Sequence, residues 1–214
     1  MMFKKRTINT FVLGIAVALA VGSCGSSGKA VKNYTATSDL SGLVEDTSQA
    51  PTLLYIRPNA PSLGAYDAFI LDPVVLDPRD PSIKKLKTED LKRIQTYFTE
   101  SLTKELEGSG YTITSTPAEK TLRISFVLSG IKVPNATANV TSVLIPVALS
   151  VGGVTVEGTF RESISNRIDA VVISRSQGSR VANDSPWSTW ADVESALDQW
   201  AKGIAASVDK AHDE

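Results

Sequence analysis

Thr121-Leu122-Arg123-Ile124-Ser125-Phe126-Val127-Leu128-Ser129 decides the fold class. Leu122, Ile124, Phe126 and Leu128 alternate with Thr121, Arg123, Ser125 and Ser129, the period of two that sends successive side chains to opposite faces of a strand. One face is apolar and the other polar, so this is a half-buried strand. Val154, Val156 and Phe160 repeat the pattern against Thr155, Glu157, Thr159 and Arg161. A Ser165-Asn166 turn then leads into Ile168 to Ser174, which makes the pair a hairpin.

Upstream, Thr52 to Arg57 is a short apolar run closed by Pro58. Tyr66 to Leu76 is almost continuously apolar, which predicts a central strand buried on both faces. Asp77-Pro78-Arg79-Asp80-Pro81 breaks regular structure, because each proline lacks a donor and restricts the residue before it. Tyr111 to Ser115 reads as another short strand.

Two helices complete the pattern. Thr88 is placed to cap the first, with Glu89 and Asp90 where the helix dipole favours acids. Leu91, Ile94, Phe98 and Leu102 form its apolar stripe, and Gly108 and Gly110 end it. Ser185-Pro186 opens the second, and Trp190, Val193, Leu197, Trp200, Ile204 and Val208 hold one face of it. The expectation is an α+β fold: a largely antiparallel sheet of about six strands with two long amphipathic helices packed on one face.

From Val140 to Val151 periodicity does not separate helix from strand. Val143-Leu144-Ile145 and Val147-Ala148-Leu149 flank Pro146. Core is the favoured reading, since apolar residues are mostly buried. The alternative is a membrane-touching or partner-binding loop, which makes Leu144, Ile145 and Pro146 candidate interaction residues.

The N-terminus reads as an export signal. Lys4, Lys5 and Arg6 precede an apolar run from Phe11 to Val21, then small residues lead to Cys24, the single cysteine of the 214-residue chain. The run is shorter than the ~20 residues of a membrane-spanning helix. Val21-Gly22-Ser23-Cys24 resembles the lipobox of bacterial prolipoproteins. That resemblance implies a diacylglycerol thioether on Cys24, cleavage between Ser23 and Cys24, and acylation (palmitate in kind) of the new amine. Gly25 stands where the inner-membrane retention signal of enteric bacteria would place Asp, which favours the outer membrane and a domain facing the periplasm. The competing reading is cleavage after Ala18-Leu19-Ala20, giving a soluble secreted protein with a free thiol, an awkward product outside the cell.

The domain organisation follows: a signal peptide over 1–23, a lipidated and flexible tether over 24–50, and a single domain over 51–214. A tether of ~26 residues has an end-to-end distance of ~25–30 Å. Removing the signal takes three basic residues and no acids, so the formal net charge moves from −1 to −4. Nothing in that balance suggests a polyanion partner, which would call for a basic stripe, so no nucleic-acid partner is expected.

Little classical chemistry is available. The one histidine, His212, sits near the C-terminus, where a frayed tail is a poor place for a general acid or base. No Ser-His-Asp, Cys-His or Cys/His zinc set can be assembled, so no cofactor or metal is expected. Asp72, Asp77 and Asp80 sit beside prolines, and turn formation is favoured over calcium binding. Arg123, Glu157, Arg161 and Arg175 share the polar sheet face. Cross-strand ion pairs are the favoured reading, with an anionic-ligand site as the alternative; Arg123 and Arg175 are therefore candidate interaction residues. Lys84, Lys85, Lys87, Lys92 and Arg93 read as a solvated helix entry, or as a contact with anionic headgroups.

Landmarks along the mature chain resemble a family of uncharacterised lipoproteins from Gram-negative bacteria, known as a domain of unknown function (DUF3313). They are Ser41-Gly42-Leu43, Tyr66-Asp67, Asp72-Pro73-Val74-Val75, Pro146, Val156-Glu157-Gly158, Arg175 with Gly178, Trp190-Ala191-Asp192-Val193 and Trp200-Ala201. Ser163 to Arg167 departs from the Thr-Gly type of turn at the hairpin. The resemblance implies a lipoprotein and a single domain, and it carries no catalytic residues. The functional expectation is a lipid-anchored, non-enzymatic envelope module that binds a protein partner. The alternatives are a lipoprotein that binds a small molecule or lipid and, last, a carboxylate-dependent hydrolase.

Overall fold

The face of the sheet that carries Phe126 is covered by helices, and the opposite face is crossed by the N-terminal segment. The computed structural model describes residues 34–132, 153–177 and 190–214. Ser23, Cys24, the segment holding Leu144, Ile145 and Pro146, and the expected helix opening at Ser185-Pro186 lie outside the described residues.

Eight strands form one sheet among the described residues. They are β1 (Val44–Asp46), β2 (Leu53–Ile56), β3 (Ala68–Leu71), β4 (Val75–Leu76), β5 (Thr112–Ile113), β6 (Thr121–Lys132), β7 (Gly153–Glu162) and β8 (Ile168–Gln177). Their order is β1-β2-β8-β7-β6-β3-β5, with β4 also on β6. From β1 to β6 all pairs are antiparallel. Beyond β6 they are parallel, with β3 and β4 on β6 and β5 on β3.

The sheet is therefore mixed and larger than the expected antiparallel six strands. Two physical reasons account for it. Pro73 has no N–H for a ladder, so the apolar run Tyr66–Leu76 divides into β3 and β4 instead of forming one long strand. Both pieces run along the same side of β6, and Asp72 and Asp77 donate their backbone N–H groups to the Ile124 and Leu128 carbonyls at 2.9 Å each. The second reason is β1, which pairs with β2 from Val44↔Ile56 to Asp46↔Leu54 inside the stretch read as tether. Folded structure thus begins well before Pro51.

Helix α1 spans Thr88–Gly108 and α2 spans Ala191–Asp213. Lys87, not Thr88, holds the N-cap position of α1, without a side-chain bond, while Glu89 and Asp90 occupy the first turn. Ile94, Phe98, Leu102 and Leu106 of α1 are buried, as are Trp190, Val193, Leu197, Trp200, Ile204 and Val208 along α2. These stripes close over Leu122, Ile124, Phe126 and Leu128, and the Phe98 and Phe126 rings meet edge-to-face with centroids 4.9 Å apart. Burial of each large apolar side chain contributes ~1.5–3 kcal/mol, so this layer supplies most of the stability.

Polar side chains lock the helices to each other and to the sheet edge. Asp198 accepts from Tyr97 at 2.9 Å and from Ser101 at 2.7 Å. Asp209 accepts from Tyr111 at 2.8 Å and Ser109 at 3.0 Å. His212 lies in the last turn of α2, its Nδ1 bonded to the Val208 carbonyl at 2.9 Å and its Nε2 3.6 Å from Asp67. It is docked, not frayed.

Candidate functional site

On the helix-free face, the register sets Arg123 opposite Arg161, Ser125 opposite Thr159 and Val127 opposite Glu157. On the other side of β7, Thr159 faces Val171, Glu157 faces Ile173 and Thr155 faces Arg175. Every residue in these rows comes from an alternating position, so one sheet face collects most of the polar residues of the hairpin. Val171 and Ile173 lie among them and are buried.

Glu157 is fully buried, with 0% of its surface exposed. Its carboxylate accepts the Thr37 N–H at 2.8 Å, the Thr37 hydroxyl at 2.6 Å and the Ser38 N–H at 2.8 Å. Burial by itself would raise the Glu157 pKa; the bonds from Thr37 and Ser38 outweigh it and hold the group below the ordinary glutamate value. The Ser38 and Thr159 hydroxyls meet at 2.5 Å. Tyr34 packs beside Glu157 and Ser129, and burial, then the Glu157 charge, pushes its phenol well above the usual range. Arg79 donates to the Thr35 carbonyl at 3.3 Å, and Arg57 to the Ser41 carbonyl at 3.3 Å. A strap from Tyr34 to Ser41 is thereby fastened across the sheet.

The Asp-Pro segment is tied down with equal economy. Asp72 accepts from Arg123 Nε at 3.0 Å and from the Ser125 hydroxyl at 2.7 Å. Asp77, 5% exposed, binds the Arg79 side chain at 2.9 Å, and that pairing is the main cause of its lowered pKa. Asp80 accepts from Ser82 and from the Gly130 N–H, bonds that overcome the upward push of burial on its pKa. Each carboxylate fastens a turn to itself or to β6, in separate sets. Among the described residues no group of three or more His, Cys, Asp or Glu is placed to hold a metal ion.

The favoured cross-strand ion pairs among Arg123, Glu157, Arg161 and Arg175 are not formed among the described residues. Arg123 pairs with Asp72, whereas Glu157 turns away from the arginines to the strap. Arg161 donates to Ser125 at 2.8 Å, and burial lowers its pKa, with Asp72 opposing that effect and Arg123 adding to it. Arg175 shares the face with Arg123 but stands opposite Thr155, ~20 Å along the strand from Arg161. The two candidate arginines therefore belong to different places. The strap is what sequence reasoning missed. Its one signal was Glu157, an acid at the centre of a strand without a basic partner opposite it.

These features define an α+β domain whose helix-free sheet face is bridged by its own N-terminal segment. The chain belongs to the family described as "Protein of unknown function (DUF3313)", whose model matches residues 32–204. The match begins just before the strap. No curated protein matches the chain. Among solved structures it is similar in shape to the PelC dodecamer from Paraburkholderia phytofirmans, at 8% identity and TM-score 0.41, covering 71% of this chain and 96% of that one. It is also similar to a minor lipoprotein from Acinetobacter baumannii, at 11% identity and TM-score 0.36, covering 68% of this chain and 95% of the other. Among the described residues no helix is long and apolar enough to cross a membrane.

Proposed function

We propose that this protein is a lipid-anchored, non-enzymatic accessory module of the bacterial envelope. It is held through Cys24 in the outer membrane, with its domain in the periplasm and a protein of the envelope as its partner. The observation that carries this reading is the strap. With Thr37 and Ser38 fixed on Glu157, the chain from Cys24 to the first fixed residue reaches at most ~45 Å, against ~90 Å if the fold began at Pro51. A short leash suits a module that works close to the membrane surface. The non-enzymatic reading is supported by the carboxylates, since Asp72, Asp77, Asp80 and Glu157 are each engaged in holding chain segments together.

Metabolic labelling with a palmitate analogue, followed by membrane fractionation, tests the anchor. The wild-type protein is expected to take the label and sediment with outer membranes, and Cys24→Ser to do neither. A Cys24→Ser protein that sediments and labels like wild type would overturn the proposal.

A further inference from the structure

The pair Arg123 and Arg161 is unusual in what it leaves open. Like charges directly opposite each other on a sheet are destabilising, yet the register places these two arginines directly opposite each other. One carboxylate, Asp72, serves both. It takes Arg123 Nε at 3.0 Å and the Ser125 hydroxyl at 2.7 Å, and the Ser125 oxygen in turn takes one N–H of Arg161 at 2.8 Å. Glu157, further along β7, has its charge met by the strap. The terminal amino groups of Arg123 and most of the Arg161 donors form no hydrogen bond among the described residues. Both side chains are partly exposed.

We propose that Arg123 and Arg161 form a binding site for a phosphate group on the helix-free face of the sheet. One guanidinium fork saturates a carboxylate, whereas two forks side by side suit a tetrahedral oxyanion with more oxygens to share. The cluster of two arginines and Asp72 carries one net positive charge, matched to a phosphodiester or a singly ionised phosphate. The chain Arg161–Ser125–Asp72–Arg123 fixes both long side chains before a ligand arrives, which removes part of the ordering cost of binding. Thr159, where Ser38 crosses the sheet, is opposite Ser125, so the strap borders the site. The site stands whether or not Cys24 is lipidated.

Calorimetric titration of the intact protein with inorganic phosphate and with glycerol 1-phosphate tests it, together with binding to phosphatidylcholine vesicles with and without phosphatidic acid. Saturable binding at one site per chain is expected, weakened about tenfold or more in Arg123→Gln and Arg161→Gln. Arg175→Gln removes the same charge from the same face elsewhere, and is expected to keep wild-type affinity. Preference for glycerol 1-phosphate, with no gain from phosphatidic acid, assigns the site to a soluble phosphate compound. A gain from phosphatidic acid that Arg161→Gln abolishes assigns it to a lipid headgroup. Should Arg161→Gln not fold, Arg161→Lys keeps the charge and is expected to melt as wild type while binding phosphate more weakly. No saturable binding, or equal loss in Arg175→Gln, would overturn the site and leave the anchoring proposal untouched.

Discussion

Ser38 and Glu157 meet across 119 residues of sequence, the Ser38 N–H donating to the Glu157 carboxylate at 2.8 Å. A buried carboxylate is costly unless hydrogen bonds replace its water, and Thr37 and Ser38 are what replace it here. The bond joins the part of the chain that leads to Cys24 to the middle of the sheet. It makes the strap a piece of the domain's structure.

Glu157→Gln is therefore expected to destabilise the domain by ~1–3 kcal/mol, because an amide offers one acceptor oxygen where the carboxylate offered two and turns an N–H toward other donors. The substitution preserves shape, so the fold is expected to persist. Urea unfolding reads the loss. Limited proteolysis is expected to cut between Tyr34 and Ser41 earlier in the variant than in wild type.

Acid should weaken the protein through the same group. The folded-state pKa of Glu157 is lowered from 4.5, and those of Asp77 and Asp80 are lowered from 3.8. A depressed carboxylate contributes stability that is present above its unfolded value and lost as pH falls through the folded one. Stability is expected to decline below about pH 4.5, the value from which Glu157 is lowered on folding. The decline should be shallower in Glu157→Gln, as thermal melts across pH 3 to 7 will show; an unchanged slope would remove Glu157 from the account.

The layers of this fold are legible in sequence because alternation in β6 and β7 and the stripes of α1 and α2 are local patterns. The hairpin register follows from them, since a slip of one residue would turn Phe126 outward and Arg123 inward. The parallel edge was not legible: β3, β4 and β5 are two to four residues each, and their partner is chosen by chain path, not by local pattern. The strap was hidden for another reason. Thr37 and Ser38 have the composition of a linker, and the residue that fixes them lies over a hundred positions away. Of the family landmarks, Gly42 now has a cause. It sits at φ +74°, a left-handed conformation that strains any residue carrying a Cβ, and the Arg57 guanidinium lies beside it. Cys24 and the residues around Pro146 remain legible in sequence alone.

Asp198 offers a test of how the two helices are joined. Its two oxygens accept from Tyr97 and Ser101 of α1, so removing it leaves two partly buried hydroxyls to find water. Asp198→Ala is expected to cost ~1–2 kcal/mol, and Tyr97→Phe less. In the double variant the effects should fall short of their sum by ~0.5 kcal/mol or more, since both remove one interaction. Additive values from urea unfolding would mean that the Tyr97–Asp198 bond contributes nothing.

Gly64 gives the sharpest structural prediction. It lies in the short helical turn Leu63–Ala65 that packs under the C-terminal end of α2. A Cβ on Gly64 would overlap the Ala211 carbonyl carbon and oxygen, which are backbone and cannot rotate away. Gly64→Ala must then push the turn off α2 or push the helix end outward, and His212 would lose its place beside Asp67. Forced overpacking of this kind costs ~1–3 kcal/mol. Gly108→Ala is the matched control, because nothing lies within 4 Å of a Cβ there. Thermal melts are expected to show a clear fall for Gly64→Ala, with Gly108→Ala close to wild type. Equal melting of the two variants would mean that α2 does not approach the 63–65 turn as closely as described.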